Sequence, residues 1–322
     1  MRSSRSNPWS SLDPEHRNAL LVIAGIAIVV IFALGLIGYG YYTDRIEPQR
    51  ETIVRVGDTK IHYSYLERRV KSAIARGAIS QQNLAQGIYD TLAAIQREEL
   101  QRQTAKRMNI EITEDDILAR YRVKLGLPST ATAEVMAPLL RAELLRLNLS
   151  LDEMRNIAIA EASSRKIRDK LVSEVPSESE HAELHLIEVD TQAAALLAKE
   201  RLDKGEEFAF VAADVSKDPS GKSHGGDLSW TPKEALPKDV ADVAFSIDYN
   251  KNSDVIETKQ AFYLISVENR EKRQVTDAGK ALIIDRRVED TLFETREAAG
   301  LEVTFTDEQI QRLALSVQPS LG

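Results

Sequence analysis

An uncharged stretch from residue 19 to residue 42 constrains this 322-residue chain more than any other feature of its sequence. As an α-helix the stretch would rise about 36 Å, which is enough to cross a hydrocarbon core of roughly 30 Å. Tyr39, Tyr41 and Tyr42 lie at its end, where amphipathic rings favour the headgroup layer. The stretch is longer than the apolar core of a cleaved signal peptide, and no small-residue cleavage site follows it. We therefore predict an uncleaved anchor that crosses the membrane once, preceded by a tail over residues 1–18.

The composition of the whole chain excludes several classes of protein. A mean hydropathy of −0.28 and 29% charged residues exclude a polytopic membrane protein and a disordered chain. The absence of cysteine excludes disulfide scaffolds, thiolate nucleophiles and metal sites with cysteine ligands. The net charge of −8 argues against nucleic acid as the main partner. Residues 181–270 alone carry a net charge of −7, and this change in composition indicates a domain boundary near residue 180.

The first region after the anchor, residues 51–175, is predicted to be mainly α-helical. It opens with an alternating pattern around Gly57 and Asp58 that is typical of a β-hairpin. Apolar spacings of three and four then indicate a long helix. Two capping boxes, which begin at Thr113 and Ser150, open further helices.

A different pattern follows a short polar linker predicted at residues 176–180. Strands are predicted over residues 183–189, 255–257 and 262–267, helices over 191–204, 208–215 and 237–245, and a loop over 216–226. This order of elements within residues 181–270 predicts a small α/β domain. Residues 277–322 are predicted to hold an amphipathic helix, a short strand and a terminal helix.

Residues 181–270 carry the motifs of a known family along their whole length. The motifs are His185-Leu-Ile-Glu-Val, Val215-Ser-Lys-Asp218, Gly225-Gly-Asp-Leu-Ser-Trp230 and Val243-Ala-Phe245. Together they resemble the parvulin family of peptidyl-prolyl cis/trans isomerases. Residues 52–175 and 277–322 are also similar to the helical chaperone region that surrounds parvulin domains in SurA-type and PrsA-type extracytoplasmic foldases.

The predicted span and the resemblance together imply an α+β fold class with four parts. A single transmembrane helix over residues 19–42 is followed by a mainly α-helical chaperone-like domain over residues 51–175. A parvulin-like α/β domain with a small antiparallel-type sheet is inserted over residues 181–270. The C-terminal helical segment, residues 277–322, is expected to pack on the chaperone region.

The reaction that the resemblance implies needs no nucleophile, metal or cofactor. Rotation about an X–Pro bond crosses a barrier of roughly 18–20 kcal/mol, because amide resonance is lost. The enzyme therefore has to offer an apolar pocket for the proline ring and polar groups that favour the twisted amide over the planar one. The residues that the resemblance assigns to these tasks are His185, Asp218 and Tyr263 for catalysis and Leu236, Val240 and Phe245 for substrate binding.

Two of these positions depart from the usual pattern of the family. Tyr263 stands where a second histidine is usual, and a phenol is bulkier than an imidazole and neutral at pH 7. Val240 stands where phenylalanine is common, and valine offers a proline ring less apolar surface to pack against. Taken alone, His185 also fits a half-buried strand position, Asp218 an ordinary turn and Tyr263 the core. No metal is predicted, because His181 and His185 lie on a strand without a third ligand nearby.

The sequence thus predicts a membrane-anchored peptidyl-prolyl isomerase and chaperone that assists the folding of extracytoplasmic proteins. Its expected partners are unfolded or nascent polypeptides with X–Pro bonds and, through residues 19–42, the cell membrane; the oligomeric state stays open. Two alternatives are a non-catalytic holdase with a degenerate rotamase domain and a scaffold for a membrane secretion complex. Arginines flank the span equally, so charge does not decide the orientation. The resemblance places the N-terminus in the cytoplasm and the bulk of the chain outside.

Overall fold

The computed structural model describes residues 31–32, 34–35 and 47–318. The tail predicted over residues 1–18 lies outside these residues, and so does most of the membrane span predicted over residues 19–42. Within the described part of the chain, no helix is both long enough and apolar enough to cross a bilayer.

Helices dominate the described residues, and small antiparallel sheets complete a mixed α+β fold. The α-helices are α1 (Glu47–Arg50), α2 (Tyr63–Ala75), α3 (Leu84–Arg107), α4 (Glu114–Lys124), α5 (Ala133–Leu147), α6 (Leu151–Val172), α7 (Gln192–Asp203), α8 (Phe208–Val215), α9 (Pro219–His224), α10 (Lys238–Ala244), α11 (Asp277–Ala299) and α12 (Asp307–Val317). The strands are β1 (Thr52–Val56), β2 (Thr59–His62), β3 (Glu178–Val189), β4 (Asp227–Pro232), β5 (Ile256–Glu257), β6 (Phe262–Gln274) and β7 (Leu301–Val303). Short 3-10 helices lie at Gln81–Asn83 and Lys233–Ala235. The predicted α+β class is therefore confirmed for the described residues.

The described chain divides into two compact units. The first comprises the described residues of Met1–Ile95 together with Leu145–Leu149 and Leu301–Gly322. Its three-stranded sheet has the order β2-β1-β7, with antiparallel pairing on both sides of β1. Gly57 lies in the turn between β1 and β2 at a φ of 57°, a left-handed value that favours glycine, and the predicted hairpin is confirmed.

The second unit, Gln96–Leu144 and Ser150–Gly300, contains a four-stranded antiparallel sheet of order β4-β3-β6-β5. Strands β3 and β6 pair over almost their whole length. Helices α7 and α8 pack on one face of this sheet, and α10 packs on the other. Helix α11 contacts β4 and the 3-10 helix that follows it. Both faces of the sheet are therefore apolar, and each is covered by different helices.

The helical part of the second unit begins its helices with local side-chain caps. Thr113 caps α4 and Ser150 caps α6, and both form the predicted capping boxes. Asp116 of the first box also pairs with Lys166 of α6 at 2.6 Å. Burial alone would raise the pKa of Asp116, but the hydrogen bonds from Lys166 and Thr113 outweigh it and lower the pKa to about 2. The caps thus both start the helices and connect α4 to α6.

Three local predictions were wrong. The predicted loop over residues 216–226 contains α9, which Asp218 caps and which is short enough to pass for a polar loop. Strand β4 was not predicted. It is irregular, since Ser229 within it adopts a φ of 54°. The predicted linker at residues 176–180 is partly strand, since β3 begins at Glu178 and pairs with the far end of β6.

The predicted C-terminal segment, residues 277–322, is shared between the two units. Helix α11 lies in the second unit, where it contacts α6, and α12 lies in the first, where it contacts α2. The predicted domain boundaries at residues 51–175 and 181–270 stay predictions.

Candidate active site

The alternation of side chains along β3 and β6 decides which predicted site residues share a face of the sheet. Tyr263 of β6 lies directly opposite Glu188 of β3, whereas His185 lies opposite Ser266. Tyr263 packs in the apolar cluster that contains Leu236. His185 is three positions from Glu188, an odd number, so its side chain points to the other face. The structure does not bring His185 together with Tyr263.

His185 lies on the face that α7 and α8 cover. Its Nε2 atom is 3.0 Å from Oε1 of Glu268, and its ring centroid is 5.8 Å from that of Phe208. Its Nδ1 atom is buried and has no hydrogen-bond partner among the described residues. These surroundings match the half-buried strand histidine that the sequence also allowed, and the catalytic role of His185 stays a prediction.

Tyr263 lies in the wall of a cavity of about 670 Å³. The start of α10 and the turn before β6 line one side of this cavity, and α11 lines the other. The lining residues are Arg107, Pro237, Lys238, Asp239, Thr258, Lys259, Gln260, Tyr263, Arg286, Asp290, Phe293, Glu294, Glu297 and Ala298. Burial, with a smaller contribution from the charge of Glu188, raises the pKa of Tyr263 to about 12. The phenol therefore stays neutral at pH 7 and keeps its proton for hydrogen bonding.

Glu188 is a candidate site residue that the sequence analysis missed. It lies directly opposite Tyr263 in the strand pair, within hydrogen-bonding reach of the phenol. Burial raises the pKa of Glu188, and the negative charge of Asp218 raises it further. The signal for this residue was present in the strand: Leu184 and Leu186 are buried, so alternation places Glu188 on the same inward face.

The turn before α9 brings Asp218 to Glu188. The hydroxyl oxygen of the buried Ser216 accepts hydrogen bonds from the backbone N–H of Glu188 at 3.1 Å and from that of Asp218 at 3.2 Å. The backbone N–H of Lys217 donates to the carbonyl oxygen of Glu188 at 2.8 Å. Asp218 in turn caps α9 by accepting from the N–H of Ser220 at 2.8 Å. The turn therefore brings the charge of Asp218 close to Glu188, whose side chain shares a face of the sheet with Tyr263.

The residues predicted to form the proline pocket lie beside this cavity. Leu236 and Val240 are 5% and 0% exposed, and within the described residues neither is among those that line the cavity. Phe245 is half-buried, with the Lys233 ammonium 5.0 Å from the centre of its ring. Pro237, next to Leu236, lines the cavity instead. The three predicted residues share the face of Tyr263 as core, and their role in substrate binding stays a prediction.

Helix α11 contributes to the cavity from outside the parvulin-like segment. Arg286 donates from Nε to Oδ1 of Asp290 at 2.9 Å, and both side chains line the cavity. The positive charge of Arg286 also acts on Tyr263 and Glu188. Sequence reasoning missed this contribution because the contact joins distant parts of the chain; the available signal was a stripe of Arg286, Asp290 and Phe293 at helical spacing.

Comparison with known proteins identifies the region around this cavity. Residues 155–271 match the family model described as the PPIC-type PPIASE domain. The chain contains a parvulin-type peptidyl-prolyl cis/trans isomerase domain. The match begins inside α6 and ends close to the C-terminal end of β6. The predicted enzyme class, a parvulin-type isomerase, is confirmed.

Relatives of the isomerase-containing chain include proteins named as foldases and chaperones. The foldase protein PrsA of Geobacillus kaustophilus is 22% identical over 212 residues, which cover 66% of this chain and 67% of that protein. The chaperone SurA of Methylococcus capsulatus is 27% identical over 52% of this chain and 35% of that protein. The periplasmic chaperone PpiD of Haemophilus influenzae is 35% identical over 32% of this chain and 16% of that protein. The chain thus spans between 16% and 67% of the length of these relatives.

Structural comparison also finds the peptidylprolyl isomerase PrsA of Bacillus anthracis. Its crystal structure aligns with a TM-score of 0.37 and 17% identity, and the alignment covers 69% of this chain and 94% of that chain.

Proposed function

We propose that the protein is a membrane-anchored foldase that isomerises X–Pro bonds in polypeptides folding outside the cytoplasmic membrane and also acts as their chaperone. The observation that carries this proposal is the cavity at Tyr263, which the isomerase domain forms together with α11. The foldase and chaperone relatives support polypeptides as the clients.

The cavity offers the two features that amide rotation needs. Pro237, Phe293 and Ala298 present apolar surface against which a proline ring can pack. Tyr263 presents a neutral hydroxyl beside that surface. No covalent bond is made or broken, so the rate rises only as far as these groups bind the twisted amide more tightly than the planar one. The proposed pose places the prolyl ring on the apolar surface and the twisting amide at Tyr263.

The decisive experiment measures cis/trans exchange of a proline tetrapeptide with the full-length protein in detergent micelles. We expect acceleration over the uncatalysed reaction, which takes tens to hundreds of seconds. Tyr263→His is the matched comparison, because it restores the residue that is usual at this position. A gain of activity in this variant would show that Tyr263 weakens the site. No acceleration by the wild type, with the domain folded by circular dichroism, would rule out the enzymatic proposal.

The membrane part of the proposal is supported by the uncharged length of residues 19–42. We propose a single-pass protein with a cytoplasmic N-terminus and with the remaining chain on the opposite side. Carbonate extraction and protease digestion of membrane vesicles of known sidedness test it. We expect the protein to resist extraction and to be digested only from the extracytoplasmic side. Release by carbonate, or digestion from the cytoplasmic side, would contradict the anchor or its orientation.

A non-catalytic holdase is the second candidate. It is favoured by the closed packing of Leu236 and Val240 and by exposed apolar side chains on α4 and α5, namely Val123, Val135 and Leu139. Suppression of the aggregation of a chemically unfolded client separates the two candidates. If the protein is a holdase, we expect the wild type and Tyr263→Phe to suppress client aggregation equally and neither to accelerate peptide exchange. The enzymatic reading expects exchange in the wild type and its loss in the variant.

A further inference from the structure

Glu188 carries an ionisable group into an apolar part of the sheet. Leu186 on its own strand and Ile265 on the next are 3% and 0% exposed on the same face. A carboxylate in such surroundings is unfavourable unless it is hydrogen-bonded or paired. The backbone of Glu188 is fixed by Ser216 and Lys217, so its side chain is held facing Tyr263.

The charged and titratable groups that face Glu188 come from four segments. Asp218 approaches from the turn before α9, Tyr263 from β6 and Arg286 from α11, and Asp190 lies just after the end of β3. Arg286 is paired with Asp290 on its own helix, and the negative charge of Asp290 weakens the attraction between Arg286 and Glu188. Of these groups, Tyr263 lies directly opposite Glu188 in the strand pair, where its hydroxyl is placed to share a hydrogen bond with the carboxyl.

We propose that Glu188 is a positioning residue: its protonation decides whether the Tyr263 hydroxyl donates to Glu188 or into the cavity. An ionised carboxylate can only accept, so the phenolic O–H donates its hydrogen bond to Glu188 and the phenolic oxygen can act only as an acceptor toward the cavity. A protonated carboxyl donates to the phenolic oxygen and frees the phenolic O–H for a ligand. The part of this inference that concerns turnover rests on the proposed function. The switch between the two hydrogen bonds does not, because it exists without substrate.

The direction of the switch matters for amide rotation. As the amide twists, its nitrogen lone pair leaves conjugation and becomes a better hydrogen-bond acceptor, so a donor in the cavity stabilises the twisted amide. Burial and Asp218 raise the pKa of Glu188, which moves its protonation toward the pH range in which the enzyme is assayed. We therefore expect the rate to be highest where Glu188 is protonated and to fall as the pH rises and Glu188 ionises.

The switch can be tested without substrate by nuclear magnetic resonance. The full-length protein is labelled with carbon-13 at the ζ carbon of tyrosine, and Tyr263→Phe identifies the signal of Tyr263. We expect this signal to titrate with a midpoint above 4.5, the ordinary value for glutamate, and the step to disappear in Glu188→Gln. Glu180→Gln, an exposed position on the same strand and face, should keep the step. A signal that does not titrate in the wild type, or that titrates equally in Glu188→Gln, would overturn the proposal.

The second test is the pH profile of kcat/KM for peptide exchange. Glu188→Gln stays neutral and can donate to the phenol, so we expect it to hold the high rate of the acidic wild type at every pH. The wild type should lose roughly two- to tenfold across the titration, the effect of one hydrogen bond, and Glu180→Gln should follow the wild type. A rate that rises with pH, or a profile unchanged in Glu188→Gln, would overturn the assigned direction. A wild type without turnover would refute the proposed function, and the resonance titration would still decide the switch.

Discussion

The two faces of the four-stranded sheet differ in what they offer to a ligand, although both are apolar. The His185 face, which α7 and α8 cover, is built on Ile187 and Leu264 and has His185 at its margin. The Tyr263 face, which α10 covers, is built on Ile265 and holds Tyr263, the Glu188 carboxyl and the wall of a cavity. A strand delivers alternate residues to opposite faces, so neighbours in sequence cannot serve one site from the same strand. The candidate site on this sheet is therefore assigned to the Tyr263 face.

The largest expected effect compares two neighbouring residues of β6 on opposite faces. Leu264 and Ile265 are 1% and 0% exposed, so truncation of either to alanine leaves a buried cavity. We expect Leu264→Ala and Ile265→Ala each to destabilise the protein by about 2–5 kcal/mol, measured as a loss of Tm. At a temperature where both variants are folded, Ile265→Ala should lower peptide exchange and Leu264→Ala should not. Equal loss of activity in both would remove the functional distinction between the faces.

The second prediction concerns Gly226, which lies between α9 and β4 and approaches the backbone of β3 closely. Gly226 has a φ of 81°, and a Cβ atom there would lie 2.6 Å from the carbonyl oxygen of Leu186. Gly226→Ala should cost about 2 kcal/mol or more, because left-handed backbone alone costs a non-glycine residue roughly 1–2 kcal/mol. The measurement is the Tm of the variant.

Gly205 provides the matched control for this substitution. Its φ of 86° is similar, but a Cβ atom there would meet nothing within 4 Å. Gly205→Ala should therefore cost about 1 kcal/mol, the conformational part alone. Equal losses of Tm in the two variants would show that the contact with Leu186 adds nothing.

The third prediction asks which face carries the reaction. Tyr263→Phe removes the hydroxyl at the cavity wall and should lower kcat/KM about tenfold, the value of one strong hydrogen bond. His185→Ala should leave kcat/KM within a factor of about two, because His185 lies on the other face. Peptide exchange under identical conditions measures both. A loss in His185→Ala as large as that in Tyr263→Phe would break the comparison and restore the role that the family resemblance gives to His185.

The elements that could be predicted from the sequence are those fixed by local chemistry. The capping boxes at Thr113 and Ser150 and the turn at Gly57 depend on a few adjacent residues, and all three occur as predicted. Strand β4 and helix α9 could not be predicted, because β4 depends on pairing with β3, and α9 is a short helix of polar residues that starts at the cap of Asp218.

The candidate site was predictable in part. Tyr263 and Asp218 were found through the family motifs, and the structure places both near Glu188. The assignment of both His185 and Tyr263 to catalysis came from the resemblance alone, and only the strand register shows that their side chains lie on opposite faces. The position of Arg286 at the cavity could not be predicted, since it depends on how α11 packs on the domain.

The fourth prediction concerns the pH dependence of stability that Glu188 causes on the Tyr263 face. The pKa of Glu188 is raised in the folded state, so the folded protein binds this proton more tightly than the unfolded chain. The resulting contribution to stability is complete below the ordinary value of 4.5 and is lost as the pH rises through the raised value. Glu188→Gln should therefore lose less Tm than the wild type as the pH rises from 4.5 through the raised pKa. Parallel curves for the two proteins would show that Glu188 titrates as an ordinary carboxyl.

The smallest expected effect lies on the His185 face. His185 and Glu268 are paired at 3.0 Å, but their side chains are 26% and 49% exposed, so water and salt screen the interaction. Glu268→Gln should cost less than about 1 kcal/mol, and the loss of Tm should shrink as salt is added. Glu188→Gln, measured in the same series, should respond less to salt because its partners on the Tyr263 face are buried. A large, salt-independent loss in Glu268→Gln would show that His185 is held in a closed polar site after all, and the His185 face would then have to be counted as chemically active.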